Sequence, residues 1–164
     1  PEIINVETGN VLEDGEKGEL VFSSLCKEAF PIIRYRTKDL TKLMKGTARS
    51  MRRMEKITGR SDDMMIIRGV NIFPTQIEEQ LLKIDSLSPH FQIRLVKEGR
   101  MDKMIVYTEH YKSEDMEKTY TEDLAANLKN RVKDNIGLSI EVNVGKKGTV
   151  PRSEGKAVRV IDER

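Results

Sequence analysis

Three short stretches carry residue types that suit nucleotide chemistry. Tyr35-Arg36-Thr37-Lys38-Asp39 ends on a carboxylate whose two oxygens can accept both hydroxyls of a ribose. The plainer reading is an Asp that closes a turn. Gly59-Arg60-Ser61-Asp62-Asp63-Met64 leads into Ile67-Arg68-Gly69-Val70-Asn71-Ile72-Phe73-Pro74. Arg60 offers a planar fork for ribose oxygens or phosphate. Gly69, inside strand-like sequence, marks a place where another group comes close to the backbone. The alternative is a linker followed by a hairpin with charged surface residues. Thr149-Val150-Pro151-Arg152-Ser153-Glu154-Gly155-Lys156 is a glycine-containing loop that presents a lysine, a point charge suited to phosphate or a developing oxyanion. Its spacing is not that of a Walker loop, and a solvated basic loop is the other reading.

Other constellations are thinner. The basic run Arg49, Arg52, Arg53, Lys56 has no aromatic platform beside it, so a solvated or adenylate-side face is expected over nucleic acid. His90 and His110 are the only histidines, and no Cys/His/Asp cluster has metal-ligand spacing. Cys26, the single cysteine, has no nearby His and reads as a packed thiol. It excludes an internal disulfide framework and fits a reducing compartment, so a cytoplasmic protein is expected. The 29 basic and 27 acidic residues leave a net charge of +2, too little for a field that attracts nucleic acid or an anionic membrane. No apolar run reaches the length of a membrane span.

The elements that must position these residues fall into two styles. Up to about Gly59 the chain reads as short strands and turns: residues 2–6, 19–24, 32–36 and 40–44 are strand-like, with turn signals at Glu7-Thr8-Gly9-Asn10 and Glu13-Asp14-Gly15. Such strands cannot easily bury both faces, which implies that something larger packs against them. The chain opens at Pro1 in mid-strand sequence and reads as a fragment. From Arg60 the pattern becomes mixed. Residues 63–68 and 70–73 are strand-like. A helix follows, with a Thr75/Glu78 capping box behind Pro74 and a stripe of Ile77, Leu81 and Ile84. Residues 91–97 and 103–109 form a hairpin about Glu98-Gly99-Arg100. A long helix is expected over 114–135 on the spacing of Met116, Tyr120, Leu124, Leu128 and Val132, with Glu114 and Asp115 in its first turn and Gly137 ending it. Strands over 138–144 and up to Ile161 complete an α+β domain, a small antiparallel sheet with helices.

The order and wording of these segments resemble the adenylate-forming acyl-CoA synthetase superfamily, within it the phenylacetate-CoA ligase family. The resemblance runs through Gly18-Glu19-Leu20-Val21-Phe22, Ile33-Arg34-Tyr35-Arg36-Thr37, residues 59–64, residues 67–78 and Pro151-Arg152-Ser153-Glu154-Gly155-Lys156-Ala157, and so covers essentially the whole chain. It implies a β-rich remnant of a large adenylate-forming domain over 1–61 and a mobile C-terminal lid over 62–164. It implies that Asp39 holds the ribose of ATP, that Arg60 also contacts the nucleotide, and that Asp62 is the hinge. It implies further that Gly69 lines the tunnel for the pantetheine of CoA and that Lys156 serves adenylation. ATP, CoA and an aryl acid become the expected substrates, with indoleacetate or benzoate as alternatives to phenylacetate. Mg²⁺ ligands, the phosphate loop and the acyl pocket are expected in a missing upstream region of the same protein, so the fragment alone should be inactive. A homodimer is expected for the full-length protein. A non-catalytic α+β binding module is the rival from another class.

Overall fold

In the computed structural model, which describes residues 1–48, 50–152 and 158–164, the chain divides into two compact units, Pro1–Met64 and Met65–Arg164. The division falls beyond the 61/62 boundary expected from the resemblance.

The first unit is built from short strands. β1 (Glu2–Ile4), β2 (Gly18–Phe22), β3 (Tyr35–Thr41) and β6 (Gly59–Arg60) form an antiparallel sheet in the order β1-β2-β3-β6, while β4 (Leu43–Met44) and β5 (Arg53–Met54) pair separately. Ile3, Leu20 and Leu43 make a small core with Leu12 against it. Cys26 is exposed, not packed as expected. Arg52, from the basic run, is tied to Asp14 and to the Pro1 carbonyl. The feature that organises the sheet is polar. Glu19 is completely buried, and both of its oxygens accept from Arg36, at 3.1 and 2.6 Å, while the Lys38 N–H adds a third bond at 3.2 Å. These donors outweigh the cost of burial and hold the Glu19 carboxyl below the usual carboxylate range, the Arg36 hydrogen bond being the largest cause.

The second unit places two helices on a four-stranded sheet in the order β11-β10-β9-β12. β9 (Leu87–Glu98) and β10 (Met101–His110) form the expected hairpin. The sheet is mixed, however: β11 (Glu141–Gly145) joins β10 in parallel and β12 (Val160–Asp162) joins β9 in parallel. Parallel neighbours need a crossover connection in place of a tight turn, and the long connections that lead into β11 and β12 permit one, so a purely antiparallel reading failed at both edges. Ile67, Ile72, Ile77, Leu81, Leu87, Ile93, Leu95, Met104, Val106, Leu128 and Val132 are among the residues of one continuous core.

Helix α1 (Pro74–Leu81) starts one residue before the expected Thr75. Pro74 takes the first helical position, where its missing N–H costs nothing, and Gln76 Oε1 accepts from the Phe73 N–H at 2.9 Å. Gln76, not the Thr75/Glu78 pair, therefore caps the helix. Glu78 is turned to Arg159 instead. Helix α2 (Lys118–Ile136) begins after Met116, so Glu114 and Asp115 lie outside its first turn. Leu124, Leu128 and Val132 supply its buried face. Gly137 ends it at φ 82°, donating its N–H to the Lys133 carbonyl at 2.9 Å. Leu138 and Ile140 continue into the core before β11 starts.

Glu19→Gln keeps the side chain's shape but removes the charge that Arg36 faces. It should cost about 1–3 kcal/mol at neutral pH. Because the folded carboxyl titrates below its unfolded value, wild-type Glu19 contributes this stability above the ordinary carboxylate range and loses it as the pH falls through the depressed one. The difference between variant and wild type should therefore close in acid. Urea melts at pH 7 and pH 2–3 check both points. An unchanged gap in acid counts against the clamp.

Candidate functional site

Asp39, Arg60 and Asp62 are brought together in the first unit. Opposite Leu20 the β2–β3 register breaks: Glu19 pairs with Leu40 but Val21 pairs with Arg36, so Thr37, Lys38 and Asp39 bulge out of the ladder. Lys38 takes φ 70°, a conformation a lysine adopts rarely. The surrounding bonds enforce it. Thr37 Oγ1 donates to the Leu20 carbonyl at 3.0 Å and accepts the Asp39 N–H at 3.1 Å, and the Lys38 N–H reaches buried Glu19. The bulge leaves Asp39 opposite Arg60 in the β3–β6 register.

Arg60 divides its donors among several acceptors. Its Nε and Nη2 reach the two oxygens of Asp62, each at 3.0 Å, and Nη1 lies 3.6 Å from Asp39 Oδ1. Asp63 is 3.9 Å from Nε. Asp62 and Asp63 get there because residues Ser61–Asp63 form a single 3₁₀ turn directly after β6. The Arg60 hydrogen bond lowers the Asp62 carboxyl below its usual range, and Asp62 in turn raises the Arg60 guanidinium. Three carboxylates around one guanidinium leave the cluster net negative. Such a group accepts hydroxyl donors well and repels a free phosphate. The Asp39 side chain is 27% exposed, so its oxygens are within reach of a ligand.

Gly69 lies in the second unit and not inside a strand. β7 (Met65–Ile67) and β8 (Val70–Ile72) form a hairpin closed by Arg68 and Gly69, with φ 50° and 78°. Two positive φ values in a two-residue loop make a turn whose twist matches its strands. A Cβ placed on Gly69 meets nothing within 4 Å. Glycine is required here by its φ, and it sits in a turn, not in the strand interior expected from the sequence. Arg68 bears its own strained φ and donates Nε to the Asp102 carbonyl at 2.9 Å. Arg164 secures the same corner, reaching the Ile66 carbonyl at 3.0 Å and the carboxylates of Asp102 and Asp162.

Lys156 and the neighbouring residues 153–157 lie outside the described residues. Both flanks are described. Arg159 pairs with Glu78 and stacks 4.9 Å from the centre of the Phe91 ring. Arg152 pairs with Glu109, a residue that sequence reasoning passed over as the end of a strand. Glu109 is fully buried near the end of β10, as are its neighbours Thr108 and His110, beside a bulge in β9, which runs from Leu87 to Phe91 while β10 runs only from Thr108 to His110. Strict alternation from Met104 and Val106 puts Glu109 on the opposite side of the strand, so no periodic signal could have found it. Among the described residues no group of three His, Cys, Asp or Glu is placed to hold a metal, and no helix is long and apolar enough to cross a membrane.

Residues 69–164 match the family of the AMP-binding enzyme C-terminal domain. The whole chain is 50% identical over 166 residues to phenylacetate-coenzyme A ligase of Escherichia coli K12, of which it spans 38% of the length. Among solved structures, it resembles 2-hydroxyisobutyryl-CoA ligase in the postadenylation state, in complex with 2-HIB-AMP. That match has a TM-score of 0.84 at 27% identity and covers 99% of this chain and 35% of that one. It also resembles a domain of phenylacetate-coenzyme A ligase from Bacteroides vulgatus ATCC 8482, with a TM-score of 0.57 at 36% identity over 63% of this chain and 94% of that one. The chain belongs to the phenylacetate-CoA ligase family of adenylate-forming enzymes, and its residues 69–164 to the AMP-binding enzyme C-terminal domain.

Proposed function

We propose that this chain is the C-terminal part of an ATP-dependent aryl-acid CoA ligase that converts phenylacetate, ATP and CoA to phenylacetyl-CoA, AMP and pyrophosphate. The observation that carries this reading is the 50% identity along the entire chain to a phenylacetate-CoA ligase. The convergence of Asp39, Arg60 and Asp62 agrees with it. Residues 1–61 are read as the last part of the large domain and 62–164 as the lid, a division close to that of the two compact units. The reaction runs in the cytoplasm, in a homodimer of the full-length protein.

In the first half-reaction the substrate carboxylate attacks the α-phosphorus of ATP and pyrophosphate leaves. Asp39 accepts the ribose hydroxyls, for which a net negative cluster is suited, and Arg60 exchanges part of its hold on Asp62 for the nucleotide. Lys156 stabilises the charge that builds on the phosphoryl oxygens. In the second half-reaction the CoA thiol attacks the acyl carbonyl and AMP leaves. This step needs no lysine but needs a narrow path for pantetheine, which the Gly69 turn borders. Asp62 is the hinge about which the lid changes from one task to the other. Mg²⁺ would offset phosphate charge when bound, with ligands supplied by the upstream part of the same protein.

Two assays on the full-length enzyme separate the half-reactions: ATP–pyrophosphate exchange, and thioester formation from supplied acyl adenylate. Lys156→Ala should lower exchange roughly 100- to 1,000-fold and leave thioester formation largely intact. Lys146→Ala and Lys147→Ala should stay near wild type. Normal exchange in Lys156→Ala would remove that lysine from the mechanism, and indoleacetate or benzoate outpacing phenylacetate would move the acid assignment.

Gly69 needs a more selective test, because its φ alone penalises any side chain. Asparagine tolerates that conformation better than other residues. Gly69→Asn should therefore keep the turn, slow thioester formation about tenfold, roughly the effect of 1.4 kcal/mol on the barrier, and spare exchange. Equal loss in both assays would mean that the turn is scaffold and borders no tunnel.

A further inference from the structure

Glu109 has no place in the mechanism above, yet it is the most heavily bonded side chain of the second unit. Its Oε2 accepts from the Gly148 N–H at 2.9 Å, from the Val150 N–H at 3.2 Å and from Arg152 Nη1 at 3.2 Å. Its Oε1 accepts from Ser88 Oγ at 3.2 Å and from Arg152 Nη2. Burial by itself would raise this carboxyl, but Arg152 and the Val150 and Gly148 N–H groups outweigh it and hold the group below its usual range. The acid stays ionised, with its acceptor capacity spent on the segment from Gly148 to Arg152.

That segment enters the lysine loop, and little else in it is buried. Gly148, Pro151 and Arg152 are exposed, Val150 is the one buried residue, and the turn before it is closed by Thr149 Oγ1 on the Lys146 carbonyl at 2.6 Å. A stem with so few apolar contacts would not hold one geometry by packing alone. A buried ion pair adds little net stability compared with an apolar substitute. What its directional bonds add is orientation, here toward three alternate residues of the stem, Gly148, Val150 and Arg152. On the far side of the loop, Arg159 is pinned by Glu78, by Phe91 and by the Ile93 N–H, which donates to its carbonyl at 2.7 Å. The described flanks of the loop are thus anchored at both ends by Arg–carboxylate pairs.

We propose that Glu109 is a positioning residue for adenylation: by fixing Gly148, Val150 and Arg152 it sets the point from which the chain delivers Lys156. The proposal rests on the role assigned to Lys156 above. A positioning role differs from a purely structural one in that it loads on a single half-reaction. Glu109→Gln leaves Arg152 without its counter-charge and turns an amide toward a pocket lined with donors. In the full-length enzyme it should slow pyrophosphate exchange about 10- to 100-fold, the scale of an ångström-sized misplacement. Thioester formation from supplied acyl adenylate should stay within about twofold, a barrier change of under 0.5 kcal/mol. Arg152→Lys, at a half-exposed position that tolerates change, keeps the charge and loses the fork. It should show the same selectivity with a smaller loss, and it decides the matter if Glu109→Gln does not fold. Exchange at the wild-type rate in either folded variant, or equal loss in both half-reactions, overturns the proposal. Lys156→Ala measured in parallel tells the two readings apart. If that variant is inactive in exchange while Glu109→Gln is normal, only the role of Glu109 falls. If Lys156→Ala exchanges normally, the lysine assignment falls and takes this proposal with it.

Discussion

A carboxylate taken out of water must find donors for both oxygens, or it costs several kcal/mol and shifts toward its neutral form. Each unit of this chain is organised around one such group. Glu19 is buried in the first sheet and is met by the Arg36 fork and the Lys38 N–H. Glu109 is buried at the end of β10 and is met by Arg152, Ser88 and two backbone N–H groups. In both, one charge has to be satisfied by backbone that is not in regular ladder geometry. The requirement therefore determines the path of the irregular segment: the Thr37–Asp39 bulge in one case, the Gly148–Arg152 stem in the other. Those two segments are also the ones that lead to residues for which chemical roles are proposed, Asp39 and Lys156.

The same logic accounts for the strained backbone. Lys38 and Arg68 both have positive φ, which is disfavoured for long side chains. Neither is held there by packing of its own side chain in a core, since Arg68 is exposed and Lys38 only half-buried. Lys38 is held through its N–H by Glu19, and Arg68 by its guanidinium on Asp102. Strain at two turns is offset by polar bonds to fixed points. Asp39 and Gly69 sit immediately after these two residues, so the cost of each unusual conformation falls next to a position with a proposed role.

The sequence was informative where a pattern repeats and silent where a bond decides. Leu124, Leu128 and Val132 announced α2, and the hairpin about Glu98-Gly99-Arg100 was legible from alternation and turn chemistry. The start of α2 was misjudged because Met116 extends the apolar spacing by one turn while the helix begins only at Lys118. The cap of α1 was misplaced because a Gln can serve from the third position without any Ser or Thr before it. The parallel edges of the sheet depend on where returning chain docks, which no local window contains. Asp39, Arg60 and Asp62 were recognisable only through the resemblance. Their spacing in sequence does not reveal that a bulge and a 3₁₀ turn put them side by side. Glu109 had no signal at all, because alternation places it on the side of β10 away from Met104 and Val106, and the partners that meet it, Ser88 and the segment from Gly148 to Arg152, are distant in sequence.

The proposed roles also differ in the charge they need. The cluster around Arg60 is net negative and suits hydroxyl donors. A phosphoryl group that gains charge during reaction needs the opposite, a cation brought close in a site from which water is excluded. Both could not be built permanently into one small site without the lysine pairing with the carboxylates, as Arg60 already does with Asp62. Under the proposed function Lys156 supplies that cation, and Glu109 spends its charge on the segment that precedes it, from Gly148 to Arg152.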